Sequence, residues 1–139
     1  MKKLIRLIKE ARFVFVCGNG GSAATAEHLT NDLFSRGIKA ICLNSNSSIM
    51  TMIANDFGYE CVFSAQLAVY ANEDDLLITI SCSGTSKNVV EAIETAHMVG
   101  MKIHNFETFK KNRPFGQSRD YEKLEDRHMR VVHKIKKAL

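Results

Sequence analysis

Short apolar runs alternate with amphipathic stretches along this chain. Leu4, Ile5, Leu7, Ile8 and Ala11 recur at helical spacing and predict a short opening helix. FVFVC at 13–17 reads as a buried strand, rich in aromatic and β-branched residues. GNGG at 18–21 is a turn, and Ser22 has the chemistry of an N-cap for a helix running to Arg36, with Gly37 as its stop. KAICL at 39–43 predicts a second strand and NSNSS at 44–48 a polar loop, followed by helices at 48–54 and 59–71. DLLITIS at 75–81 predicts a third strand. CSGT at 82–85 forms the next turn, and Ser86 caps a helix that runs to Val99 and ends at Gly100. MKIHN at 101–105 reads as a fourth strand, 106–119 as a loop, and 120–138 as a final helix.

Strands alternating with helices imply right-handed crossovers and a parallel sheet covered on both faces. The expected fold is therefore α/β, an open doubly wound sheet. No repeat, linker or low-complexity segment divides the 139 residues, so one domain over 1–139 is expected. The apolar fraction is 45% and the charged fraction 24%, which excludes a disordered or collagen-like chain. No apolar run approaches the ~18 residues of a membrane span.

Net charge changes the picture little. The total is +4, yet residues 1–12 hold five Lys/Arg against one Glu and residues 106–139 hold ten against five, while the middle is acidic. The basic residues are interleaved with apolar ones at helical spacing, so they read as solvated helix faces and not as a nucleic-acid surface. Cys17, Cys42, Cys61 and Cys82 form no CxxC pair and no disulfide framework. Arg6, Lys9 and Glu10 interrupt any secretory core in MKKLIRLIKEAR. A reduced, cytoplasmic protein is the expectation.

Two strand–loop–helix junctions carry the chemistry. In open α/β sheets, ligands bind beyond the carboxyl ends of the strands. The first junction is Gly18-Asn19-Gly20-Gly21-Ser22. Its glycines permit close backbone approach, and the following helix offers N–H groups and its positive dipole end. It lacks the spacing of a dinucleotide fingerprint and the Gly-Lys-Ser/Thr of a P-loop. Taken alone it is equally a tight turn. The second junction, Ser81-Cys82-Ser83-Gly84-Thr85-Ser86, places four hydroxyls within six residues at a helix start. Capping by Ser86 accounts for one hydroxyl. Four hydroxyls together suit a phosphate monoester.

GNGGSAATAEH, ANDFG and ISCSGTSKNV, in this order and spacing, resemble the sugar isomerase (SIS) domain. More narrowly they resemble the phosphoheptose isomerases, which convert sedoheptulose 7-phosphate to D-glycero-D-manno-heptose 7-phosphate. The match spans 12–103 and resumes near 123–135. The resemblance implies a flavodoxin-like three-layer sandwich on a five-stranded parallel sheet, assembled as a homotetramer. The apolar stripe of Leu4, Ile5, Leu7 and Ile8 is expected to need a second subunit to cover it. The resemblance places Asn19, Gly20, Gly21 and Ser22 at the sugar, together with Asn55 and Asp56. Ser81, Cys82, Ser83 and Ser86 fall on the phosphate loop, with Cys82 in place of the commoner Thr. His28 matches a zinc ligand, and Asp32 stands where the family has a Glu that is ligand and base. KLEDRHMRVVH places Glu125 at a substrate- and metal-binding Gln, and His133 at the metal-binding, acid/base His.

The residues allow this. His28 and Asp32 are four apart, on one helix face, and His with carboxylate is an ordinary zinc set. Read without the resemblance, the pair is equally surface decoration, and His133 a plain helix histidine. His97 and His128 are read as structural, and nothing singles out His104. The chain also departs from the family. Asp32 is one methylene shorter than Glu, Glu125 adds a charge where the family has an amide, the first helix is short, and 104–122 do not match. The expected activity is a zinc-dependent aldose–ketose isomerisation of a sugar phosphate through an enediol, with Asp32 as base and His133 as acid or second base. The alternative is a non-catalytic SIS module that binds a phosphosugar or a protein, of the replication-initiator-associated type. A sugar-phosphate-sensing regulator is a weaker third reading, since no DNA-binding segment is visible.

Overall fold

A computed structural model describes residues 1–108 and 120–139. The loop expected over 106–119 lies outside the described residues from 109 on.

Apolar periodicity translates directly into elements. The opening stripe forms α1 (Lys2–Glu10), and FVFVC becomes β1 (Val14–Gly18). Then follow α2 (Gly21–Phe34), β2 (Ala40–Cys42), α3 (Ser47–Phe57), a 3₁₀ turn (Tyr59–Cys61) and α4 (Ser64–Tyr70). The chain continues with β3 (Leu76–Ile80), α5 (Lys87–Val99), β4 (Lys102–Asn105) and α6 (Tyr121–Ala138). The single helix expected over 59–71 is split. Tyr59–Cys61 closes as a tighter 3₁₀ turn and α4 starts only at Ser64, while Gly58, with φ 97°, ends α3 before both.

The strands pair in parallel in the order β2-β1-β3-β4. This is a doubly wound, flavodoxin-like order, and its direction reverses between β1 and β3. The described residues contain four strands, where the resemblance implied five. Among the described residues no strand follows β4, and the last element is α6.

Alternation along the strands builds two cores. Val14, Val16, Leu76, Ile78 and Ile80 face one layer, where they meet Leu4 and Ile8 of α1, Leu29 and Leu33 of α2, and Val132 and Ile135 of α6. Phe15, Cys17 and Leu77 face the other, against Ile53, Phe63, Leu67, Val89 and Ala92. Both faces are covered, so β1 and β3 are buried at every residue. Leu4 and Ile8 are enclosed within this chain. Those two need no second subunit to cover them, because α1 packs on the same sheet face as α2 and α6, whereas Ile5 and Leu7 of the same stripe stay half-buried.

The amino end of the sheet is tied by Asp75, which is wholly buried. Its carboxylate accepts hydrogen bonds from Arg12 Nη2 at 2.7 Å, Phe13 N at 2.9 Å and Asn72 N at 2.7 Å. No described helix is long and apolar enough to cross a membrane.

Candidate functional site

The loops after β1 and β3 flank the point where the strand order reverses, and a crevice opens there. It is a pocket of about 310 Å³. Asn19, Gly20, Gly21 and Ser22 form one wall, Ser81, Cys82, Ser83 and Ser86 the other, and Tyr121 and Glu125 of α6 close it. Every substrate-loop residue expected from sequence is therefore in one place, except Asn55 and Asp56. Those two sit exposed near the end of α3, where Asn55 Nδ2 donates to Asp56 Oδ1 at 2.8 Å, and they are not part of this wall.

Two helices start at the pocket, α2 and α5, and neither start is closed by a side-chain cap. Ser22 is not the N-cap. Gly20 takes that position with φ 57° and ψ −126°, a conformation open to glycine alone, and this leaves Ser22 inside the first turn. Ser86 is the N-cap of α5 as expected, but its hydroxyl does not close the helix. The loop itself is braced by its own hydroxyls. Ser81 Oγ accepts from Gly84 N at 3.1 Å and Ser83 Oγ from Thr85 N at 3.2 Å.

The two walls are locked together by Asn88, in the first turn of α5, whose amide exchanges hydrogen bonds with that of Asn19. Tyr59 Oη donates to Asn19 Oδ1 at 3.1 Å. Sequence reasoning missed Asn88, Tyr59 and Tyr121. Asn88 follows Ser86 by two residues, and Tyr121 precedes Glu125 by four, one helical turn on the same face. Both spacings were available as signals. Tyr59 reaches the loop only through the turn after α3.

Electrostatics divide the pocket. Glu125 lies over the start of α2: a Cβ placed on Gly21 would fall 2.6 Å from Glu125 Oε1. A carboxylate is stabilised at a helix N-terminus, so Glu125 occupies the anion position of the first loop. The α5 start remains for an exogenous anion. Burial pushes the Cys82 thiol up, and the charge of Glu125 pushes it further, while a hydrogen bond with Ser22 acts the other way. Cys82 is thus a neutral thiol at neutral pH and adds no charge to the phosphate loop.

The expected metal-site residues do not all meet. The helices α2 and α6 run side by side in the same direction. Gly21 faces Glu125, the His28 and His133 rings are 5.3 Å apart, and Asp32 Oδ1 accepts from Lys136 Nζ at 2.6 Å. Glu125 and His133 are eight residues apart on α6, about 12 Å along the helix axis. The expected convergence of His28, Asp32, Glu125 and His133 on one cation, from one chain or from different subunits, is therefore not formed within a single chain. Asp32 is 1% exposed. Its Oδ2 stands 3.4 Å from His28 Nε2 without making a hydrogen bond, so it is buried without a partner. Among the described residues, no three His, Cys, Asp or Glu side chains are grouped to hold a metal ion. The donor set as it stands does not fit zinc, because the carboxylate is already engaged by an ammonium. His128, read as structural, lies outside the pocket. It is buried, with its Nε2 2.7 Å from the Glu107 carbonyl oxygen.

The SIS domain family model matches residues 1–106, three-quarters of the chain. The chain belongs to the SIS domain family. A phosphoheptose isomerase from Helicobacter pylori (strain P12) is 45% identical to this SIS chain over 105 residues, covering 71% of the chain and 55% of that protein. The chain thus spans about half the length of the curated relatives it matches. The solved phosphoheptose isomerase GmhA from Neisseria gonorrhoeae superposes on the SIS chain with a TM-score of 0.86 at 27% identity, covering 99% of this chain and 80% of that one. A phosphoheptose isomerase from Francisella tularensis gives 0.86 at 27% identity, covering 98% and 82%.

Proposed function

We propose that this SIS chain binds a sugar phosphate and isomerises it, with sedoheptulose 7-phosphate as ketose and D-glycero-D-manno-heptose 7-phosphate as aldose. The observation that carries the reading is the pocket at the β1/β3 crevice, with the hydroxyl-rich loop and the uncapped start of α5 on one side. A phosphate monoester is an anion that accepts hydrogen bonds from such hydroxyls and N–H groups. The phosphoheptose isomerase relatives support this choice of substrate.

In this reading Ser81, Ser83 and Ser86 hold the phosphate. Asn19 and Ser22 take sugar hydroxyls, and Glu125 accepts hydrogen bonds from the polyol while keeping the phosphate on the α5 side. Isomerisation moves a proton between the carbonyl carbon's neighbour and the carbonyl carbon, through an enediol. His133 is exposed, so its imidazole can exchange that proton. Asp32 is enclosed and ion-paired, so it acts as the carboxylate partner of the histidine pair. His28, Asp32 and His133 are outside the phosphate pocket of their own chain. They would therefore serve a pocket of a neighbouring subunit in a homo-oligomer, which we take to be a tetramer. Exposed Phe34, two residues beyond Asp32, and exposed Phe57, Val69 and Met98 offer apolar surface for such contacts.

One observation favours the binding-module reading: Lys136 engages the carboxylate that the resemblance assigns as base. One experiment separates the two. The purified chain is incubated with sedoheptulose 7-phosphate, with and without zinc, and the aldose is followed by NMR while light scattering gives the oligomeric state. Aldose formation that is lost in His133→Asn, with binding retained, supports the isomerase. Binding without turnover supports the module, and absence of binding overturns both.

A further inference from the structure

We propose that Lys136 is the resident cation of the His28–Asp32–His133 cluster, holding by its ammonium the carboxylate that a divalent ion would need. The inference starts from a pair of side chains 104 residues apart. Lys136 Nζ is 2.6 Å from Asp32 Oδ1, and the carboxylate is 1% exposed. A buried carboxylate needs a compensating charge, and here the chain supplies it from α6, one turn beyond His133. The position is set on both sides. Arg36 Nε donates to the Lys136 carbonyl oxygen at 3.2 Å, which fixes this turn of α6 against the end of α2.

The surroundings show what the lysine displaces. Asp32 Oδ2 is buried without a partner, His28 Nε2 faces it at 3.4 Å, and the His133 ring packs edge-on to His28. Two imidazoles and one open carboxylate oxygen are zinc-type donors, though as they stand they are not grouped to hold an ion. With Lys136 in place, the pair is neutral and a dication entering beside it meets like charge at ion-pair range. The shorter Asp side chain keeps its carboxylate inside the α2–α6 contact, within reach of the lysine. The cluster therefore holds a fixed positive charge of its own and binds zinc weakly. Its meaning for catalysis rests on the phosphosugar reading, but its test needs no sugar and stands or falls separately.

The test is a zinc titration of the whole chain in competition with a chromophoric chelator at neutral pH. Wild type and Lys136→Arg, which keeps the charge, are expected not to compete. Lys136→Met is expected to bind zinc at least about tenfold more tightly. His28→Gln in the Lys136→Met background is expected to remove the gain. Tight binding by wild type equal to that of Lys136→Met, or no gain in a folded Lys136→Met, overturns the proposal. If circular dichroism shows that Lys136→Met does not fold, the wild type decides. Unmoved His28 and His133 ring resonances at one equivalent of zinc support the lysine as resident cation, and their saturating shift at one equivalent overturns it.

Discussion

Asn19 and Asn88 grip each other through both amide groups. Asn19 Nδ2 donates to Asn88 Oδ1 at 2.8 Å, and Asn88 Nδ2 donates to Asn19 Oδ1 at 2.9 Å. Asn88 is buried, and the two residues are 69 apart in sequence, so the pair bolts the glycine loop after β1 to the first turn of α5. The two pocket walls are thus tied by a pair of side-chain hydrogen bonds.

Breaking that bolt should cost both stability and binding. Asn88→Ala leaves the Asn19 amide short of partners and is expected to destabilise the fold by about 1–3 kcal/mol. The Asn19→Ala and Asn88→Ala cycle should show a coupling of about 0.5–3 kcal/mol in urea unfolding. Sugar-phosphate affinity should fall with it. Additive single changes would show that the pair does not couple the walls.

Phosphate binding should centre on the second loop. Ser83→Ala with Ser86→Ala removes two hydroxyls, and each hydrogen bond to a charged group contributes about 1.5–3 kcal/mol. Titration calorimetry with a sugar phosphate should show affinity falling more than tenfold. The melting temperature should change little, because neither hydroxyl caps α5 and the bond lost from Thr85 N to Ser83 Oγ is exposed to water. Unchanged affinity would place the phosphate elsewhere.

The two loop glycines should differ. A Cβ on Gly18 would lie 2.6 Å from the Ser22 carbonyl oxygen and 2.8 Å from that of Ile80, both backbone atoms. Gly18→Ala must push β1 from β3 or α2 and is expected to cost about 1–3 kcal/mol. A Cβ on Gly21 meets only the flexible head of Glu125, so Gly21→Ala should be better tolerated in stability while it reshapes the pocket. Thermal unfolding of the two variants checks the order.

Asp75 should be a strong anchor. Asp75→Ala leaves Phe13 N and Asn72 N without their acceptor and the Arg12 guanidinium unpaired. Arg12 is partly exposed and stays solvated, so the cost lies in the orphaned backbone donors, about 1–3 kcal/mol for each. Asp75→Asn, which keeps an acceptor oxygen, should cost less. Guanidinium unfolding curves compare the two.

Acid should weaken the fold through His104. Burial lowers its pKa from the usual value, and the positive charges of the Met1 amino group and Lys3 lower it further. The unfolded chain therefore binds a proton that the folded one resists. The stability this residue contributes is present above the unfolded histidine pKa of about 6.5 and is lost as pH falls below it. His104→Gln should flatten the acid limb of a stability–pH curve below that point.

Much of the molecule could be read from residue order. Leu4 and Ile8, the FVFVC and DLLITIS runs, and the stops at Gly37 and Gly100 located the elements to within a few residues. Period and turn chemistry are local properties, and β1 and β3 are buried on both faces, which makes their apolar runs unmistakable. The hydroxyls of 81–86 and the glycines of 18–21 marked the two loops for the same reason: a helix start advertises itself in its own few residues.

What the tertiary structure alone decided lies in contacts between distant segments. The family resemblance of KLEDRHMRVVH implied that Glu125 and His133 share one cation. Only the parallel course of α2 and α6 shows that Glu125 stands over Gly21 while His133 meets His28 two turns further along. Nothing in KKAL distinguishes Lys136 from its lysine neighbour, and only packing brings its ammonium to Asp32. The α1 stripe looked unpartnered until the fold set Leu4 and Ile8 on the sheet face that α2 and α6 also cover. The physical reason is common to all three. Spacing along a helix fixes which residues share a face, whereas the partner of that face is set by how the helix docks, and docking depends on the summed shape and charge of segments that share no local pattern.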